Sequence, residues 1–184
     1  VEIRYETEVT AVSFTDHAAA VTLRSVDASV EDVTAGFVLD CSGFGRVLPR
    51  LLDLEQPSDF PAKTSLFAHI RGDRRPSGRD EGKIWISILP NGVWTWIIPF
   101  SNGVSSIGLV ADPEVIADGS KTREETLRSV MLSDPNIRAR LEEMEFVSEA
   151  RQISGFACGV KQLFGERFAL VGNATEFLDP IFQS

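Results

Sequence analysis

Two short apolar runs, each ending in a glycine turn, limit most strongly what this chain can fold into. Gly36-Phe37-Val38-Leu39-Asp40-Cys41 enters Ser42-Gly43-Phe44-Gly45-Arg46. Arg167-Phe168-Ala169-Leu170-Val171 enters Gly172-Asn173-Ala174. A strand covered on both faces reads as a continuous apolar run, and a glycine turn after it is the usual form of a parallel-sheet strand meeting a loop. The residues between the two runs follow other periods, so their sheet is of another kind.

The first 24 residues alternate. Val9, Val12 and Phe14, a turn at Thr15-Asp16-His17 and the run Ala19 to Leu23 predict a hairpin or meander. A charged stretch follows. Val47 to Leu52 suits a short helix after the first glycine turn. From Thr64 to Ala111 the pattern is antiparallel sheet. Thr64 to Ile70 is one strand, and Lys83 to Leu89, Val93 to Phe100 and Val104 to Ala111 form a three-stranded meander. Asn91-Gly92 and Asn102-Gly103 predict two-residue type I′ hairpin turns in it. Thr122 with Glu125 is a capping box opening a helix with the stripe Leu127, Val130, Met131. Asp134-Pro135 opens a second helix that ends near Leu141. Phe146 to Cys158 reads as extended. The fold class is α+β.

The 184 residues are 43% hydrophobic and 24% charged, the balance of a folded globular chain. A net charge of -9 argues against a nucleic-acid partner, which needs a basic surface. No apolar run approaches the roughly 20 residues of a membrane helix. The two cysteines, Cys41 and Cys158, are expected to be reduced and the protein cytoplasmic. The chain does not begin with Met, and it reads as a segment of something longer.

Three stretches can carry chemistry. At Asp40 to Arg46 the glycines let backbone approach a ligand closely. In Trp94-Thr95-Trp96-Ile97-Ile98-Pro99, alternation puts Trp94, Trp96 and Ile98 on one strand face. Two indoles facing one way can wall a pocket for a flat ring. Taken alone, the plainer expectation is an aromatic sheet face packed on the helices at 122–141. The third stretch, Gly172-Asn173-Ala174-Thr175-Glu176-Phe177-Leu178-Asp179-Pro180, is a strand, a tight turn and exposed amides. It suits an anion or an electron-rich ring edge, with Asp179 as an alternative helix cap.

In order and spacing, the three together resemble the flavin-dependent halogenase family, tryptophan halogenase-like flavoproteins related to geranylgeranyl reductases and shaped like p-hydroxybenzoate hydroxylase. The resemblance runs from about Val9 to Ser184, and Trp94-x-Trp96-x-Ile98-Pro99 is its most specific part. It implies residues 1–60 as part of a Rossmann-like FAD-binding domain, 61–160 as a substrate domain of antiparallel sheet with flanking helices, and 161–184 as the return to the FAD domain. It implies Val9, Ser42, Gly43, Gly172, Asn173, Asp179 and Pro180 as FAD contacts. Trp94, Trp96, Ile98 and Pro99 become substrate-pocket residues. In the family a flavin hydroperoxide oxidises halide, and the product halogenates an electron-rich ring.

The chain also departs from the pattern. Val93 stands where the family has Gly before the first Trp. Asn173 replaces Asp, giving up the charge-assisted strength of a carboxylate. Phe182 stands where free-tryptophan halogenases have Glu, which points toward phenols, pyrroles or carrier-bound substrates. The family's phosphate loop and its lysine are not in this chain, so no catalytic residue is assigned, and Lys63, Lys83, Lys121 and Lys161 lie in other contexts. The expected partners are a small aromatic substrate and a flavin reductase. The rivals are a monooxygenase or reductase without halogenation, and a non-catalytic binding module. No metal site is expected. His69 and Cys158 are expected to be structural. Arg71, Arg74, Arg75 and Arg79 are expected at a solvated hairpin tip, with carrier-protein docking a lesser alternative.

Overall fold

The structure, a computed structural model, describes residues 1–59, 61–117, 119–155 and 158–176. It divides into two compact units, Val1–Pro61 with Ala157–Ser184, and Ala62–Phe156. Among the described residues no helix is long and apolar enough to cross a membrane.

The first unit opens with an antiparallel sheet of β1 (Thr7–Phe14), β2 (Ala19–Ser25) and β3 (Val30–Ala35), with β2 in the middle. The third strand lies in the charged stretch, where Val30, Glu31 and Asp32 are all exposed and no apolar face marks a strand. It is held from the side by polar pairs such as Thr22 Oγ1 donating to Asp32 Oδ1 at 2.7 Å. β4 (Val38–Asp40) ends in a 3-10 turn at Gly43–Gly45, followed by α1 (Val47–Leu51) and β5 (Glu55–Pro57).

In the second unit the strands are β6 (Thr64–Arg71), β7 (Trp85–Ile88), β8 (Trp94–Pro99) and β9 (Ser105–Ala111). The helices α2 (Pro113–Ile116), α3 (Arg123–Met131) and α4 (Pro135–Leu141) precede β10 (Glu145–Phe146) and β11 (Arg151–Ser154). The sheet order is β10-β6-β9-β8-β7, with β11 also on β6. The expected meander is present as β7-β8-β9, and β6 pairs with its far strand. Both hairpin loops are longer than expected. Leu89 N bonds Val93 O at 2.7 Å around Pro90–Gly92, and Phe100 N bonds Val104 O at 2.8 Å around 101–103. These are three-residue loops closed by a glycine at positive φ, +69° at Gly92 and +82° at Gly103. A type I turn with a left-handed third residue serves the twist as well as the two-residue form does.

One face of this sheet carries the core. Leu66, Ala68, Ile70, Ile97, Ile107 and Leu109 pack with Leu127, Met131, Ile137 and Leu141 of α3 and α4. Each large side chain so buried contributes about 1.5–3 kcal/mol. Both helices start as expected. Thr122 and Glu125 form the reciprocal capping box, and Asp134 accepts from Asn136 N at 2.8 Å. Asp134 also accepts from Ser87 of β7, which anchors α4 over this face.

The arginine-rich loop is only partly a solvated tip. The side chain of Asp73 is buried and takes Arg140 Nε at 2.6 Å and Nη2 at 2.9 Å, with Ser105 Oγ donating at 2.6 Å. Arg75 donates to Phe100 O and Val104 O, both at 2.8 Å. Arg74 pairs with Glu142 and Glu143. A buried carboxylate must be paired to stay charged, so these arginines are spent on structure. Burial pushes the Asp73 carboxyl up. The hydrogen bonds from Arg140 and Ser105, with the charges of Arg140 and Arg75, outweigh it and hold the group below its ordinary value.

The chain then returns to the first unit. β12 (Cys158–Val160) pairs β5, so the extended expectation for 146–158 holds only in pieces, and Cys158 is half-buried. β13 (Phe164–Gly165) leads into β14 (Phe168–Leu170), which pairs parallel with β4 in the register Phe168↔Val38, Leu170↔Asp40. Phe168 and Leu170 form a small core with Leu48, supported by Val12 and Phe14.

Candidate functional site

In the first unit the two glycine turns are neighbours, because β4 and β14 are adjacent and parallel. Val171 N reaches Asp40 O at 2.9 Å, so both chains leave the sheet at the same carboxyl edge. That edge is where open α/β sheets bind ligands. Gly43 has φ +57° and Gly172 φ +59°, conformations strained for any L side chain. A Cβ at either would meet no atom within 4 Å, so the space over both turns is open.

Side chains around the turns are largely occupied. Asp40 is buried, its Oδ1 accepting from Ser42 N and its Oδ2 from Leu48 N, both at 2.7 Å. Ser42 Oγ accepts from Val47 N at 3.0 Å. The two together cap α1, which has too few residues to stand alone. Arg46 lies in a left-handed conformation with its side chain 6% exposed. It donates to Glu55 Oε1 and Gly159 O, both at 2.9 Å, and to Thr175 O at 3.5 Å. Thr175 in turn donates Oγ1 to Gly172 O at 2.6 Å. Arg46 therefore fastens β5, β12 and the second turn together. Sequence reading missed it, since a partner 113 residues away leaves no local signal. Asn173 is half-buried, and its side chain has no hydrogen bond among the described residues. Val9 stands on the separate β1–β3 sheet, where pairing is bulged between Val9 and Ala11. Asp179 and Pro180 lie outside the described residues.

In the second unit the structure overturns the expectation that the indoles pack on the helices. Cross-strand partners share a face. Trp96 opposes Gly108 and Ile86, Trp94 opposes Val110 and Ile88, and Ile98 opposes Ser106. Ile97 and Trp85 are partners on the other side, where Arg140 of α4 lies 5.9 Å from the Trp85 ring. Among the described residues of this unit, the helices cover the Ile97 side and none packs on the Trp94–Trp96–Ile98 side. The two indoles are 5.5 Å apart, and Phe67 of β6 is 6.5 Å from Trp96. Trp96 Nε1 donates to Ser106 Oγ at 3.2 Å. Its ring lies over Gly108, where a Cβ would come within 2.1 Å of Cζ2. Glycine in mid-strand marks such a close approach, and that signal was available in the sequence. Trp94 is buried, its Nε1 without a partner among the described residues. Ile98 and Pro99 are half-buried, while Ile86 and Ile88 are exposed. His69 is exposed and edge-on to Phe100 at 5.5 Å, so it shares this face.

No family model matches the chain. A solved flavoprotein/dehydrogenase from Cytophaga hutchinsonii is 38% identical with a TM-score of 0.88, covering 99% of this chain and 44% of that one. The 1H-pyrrole-2-carbonyl-[peptidyl-carrier protein] chlorinase of Pseudomonas fluorescens is 27% identical over 83% of this chain. This chain is a homologue of the flavin-dependent halogenases. The flavin-dependent brominase Bmp2 shares its fold, with a TM-score of 0.81 at 22% identity, over 96% of this chain and 45% of that one. The homologue spans 35%, 30% and 38% of the length of three curated halogenases. Its mixed helices and antiparallel sheets are the α+β architecture of these proteins.

Proposed function

We propose that the protein carrying this chain is a FAD-dependent oxidoreductase that halogenates or oxidises an electron-rich aromatic ring. The observation that carries the reading is the helix-free sheet face bearing Trp94, Trp96 and Phe67. An apolar aromatic surface of this kind is the wall a flat substrate needs. The open space over Gly43 and Gly172, with the uncommitted amide of Asn173 beside it, fits the edge of a flavin. Ser42, Gly43, Gly172 and Asn173 hold that edge, while Val9, Asp179 and Pro180 are FAD contacts on the family resemblance alone. When bound, FAD supplies the redox chemistry. The chain's own part is to orient the ring along Trp94, Trp96, Ile98 and Pro99 and to keep water off it. The substrate is a phenol or pyrrole, free or carrier-bound, and a separate reductase supplies reduced flavin in the cytoplasm.

A second reading, flavin oxidation without halogenation, is favoured by Val93 in the indole signature and by the likeness to the flavoprotein/dehydrogenase. Product analysis separates the two. The full-length protein, given reduced FAD, oxygen, bromide and a phenol, is expected to yield a brominated phenol by mass spectrometry. Oxidised product that is indifferent to bromide supports the second reading. No product from any ring tested overturns both.

A further inference from the structure

One cation belongs to the aromatic row of the second unit and has no task there. Arg151 of β11 lies directly opposite Phe67, which opposes Gly108, which opposes Trp96. The cross-strand row therefore reads Arg151, Phe67, Gly108, Trp96 on the helix-free face. Arg151 is exposed, and its guanidinium makes no hydrogen bond or ion pair among the described residues. Most other arginines of this unit are spent, Arg74, Arg75 and Arg140 on carboxylates and Arg128 on Met144 O. Arg71 and Glu145 face each other at the far end of the same face, beyond His69.

A cavity of about 150 Å³ opens at this end of the row, lined by Phe67, Ala68, His69, Ser148, Glu149 and Arg151. Sites that enclose a drug-sized molecule run to roughly 300–1,000 Å³, so this one admits a substituent while the ring lies outside it. A guanidinium with free donors matches a carboxylate in two parallel hydrogen bonds. Glu149 at the rim repels a second negative charge, which favours a monoanion over a phosphate. The net charge of -9 gives anions no general attraction to the protein, so any preference for one must come from a local contact.

We propose that Arg151, with His69 beside it, receives the carboxylate of a small aromatic acid whose ring lies along Phe67 and Trp96. The proposal rests on reading the indole face as the substrate surface, and it selects a free acid over a carrier thioester, which has no carboxylate. Calorimetric titration of the full-length protein with pyrrole-2-carboxylate and with its methyl ester tests it, without flavin or halide. Wild type is expected to prefer the acid. Arg151→Gln is expected to weaken acid binding by about 10- to 100-fold and leave the ester unaffected. Arg151→Lys is expected to restore part of the preference. Equal binding of acid and ester in wild type, equal loss of both in Arg151→Gln, or binding of neither overturns the proposal. FAD uptake is read separately from the absorption spectrum. Bound FAD without acid preference removes this subsite alone, and acid preference without FAD uptake removes the flavoprotein reading alone.

Discussion

The glycine-turn edge of the first unit and the indole face of the second are built in opposite ways. At the edge, Asp40 and Ser42 are committed to the turn and the start of α1, Arg46 to Glu55 and distant backbone, and what they leave exposed is bare peptide over Gly43 and Gly172. On the face, few side chains are tied down, and the exposed surface around the indoles is largely apolar, with Ile86 and Ile88 beside them and charged groups only toward its edge. The first arrangement fixes a shape and the second offers a material. A cofactor held in one pose suits a rigid polar edge. A substrate chosen by ring and substituent suits an apolar wall with few polar points.

The sharpest test of the two sheet faces uses neighbours on one strand. Ile97→Ala, in the core under α3 and α4, is expected to cost about 2–5 kcal/mol in denaturant unfolding. Ile98→Ala, on the helix-free face, is expected to cost less than about 1 kcal/mol. Comparable losses would break the assignment of faces. For the edge, Arg46→Ala removes a buried cation whose acceptors then lack partners. A loss of about 2–3 kcal/mol is expected, with no change in the second unit's tryptophan emission. A loss too small to measure would show that Arg46 does not hold the turns. Gly108→Ala forces Trp96 off the sheet. It is expected to cost about 1–3 kcal/mol and to shift tryptophan emission as the bond to Ser106 breaks. Unaltered emission would show that Trp96 does not lie where it is drawn.

The smallest effect is on pH. Asp73 has its carboxyl held below the ordinary value when folded, so its contribution is present above the unfolded pKa of about 4 and is lost as pH falls through the folded one. Asp73→Asn is expected to lower stability at neutral pH and to flatten the acid limb of the stability curve. An acid limb as steep as in wild type would exclude Asp73 as a source of the dependence.

What the sequence revealed follows from the range of the interactions. The capping box at Thr122 and the Asp134-Pro135 start are local, and both are legible. The apolar runs ending at Asp40 and Val171 could be read as parallel strands without knowledge of their partner. β3 was hidden because none of its residues is buried. The covered face of β8 was hidden for the opposite reason. Val93 and Ile97 on one side and Trp94, Trp96 and Ile98 on the other are all apolar, so alternation alone does not say where the helices go. The loop of Asp73 read as surface because its partner Arg140 is 67 residues away. The family pattern pointed to both candidate regions, and Gly108 in mid-strand was a signal left unread, but Arg46 and Arg151 appear only once the strands are paired.

The most direct test of the central claim is the visible spectrum of FAD titrated into the full-length protein, with Gly43→Val and Gly172→Val as companions. A perturbed flavin band that saturates in wild type and is weakened in both variants is expected. A spectrum that stays that of free FAD in wild type, or saturation unaltered by either substitution, would contradict it.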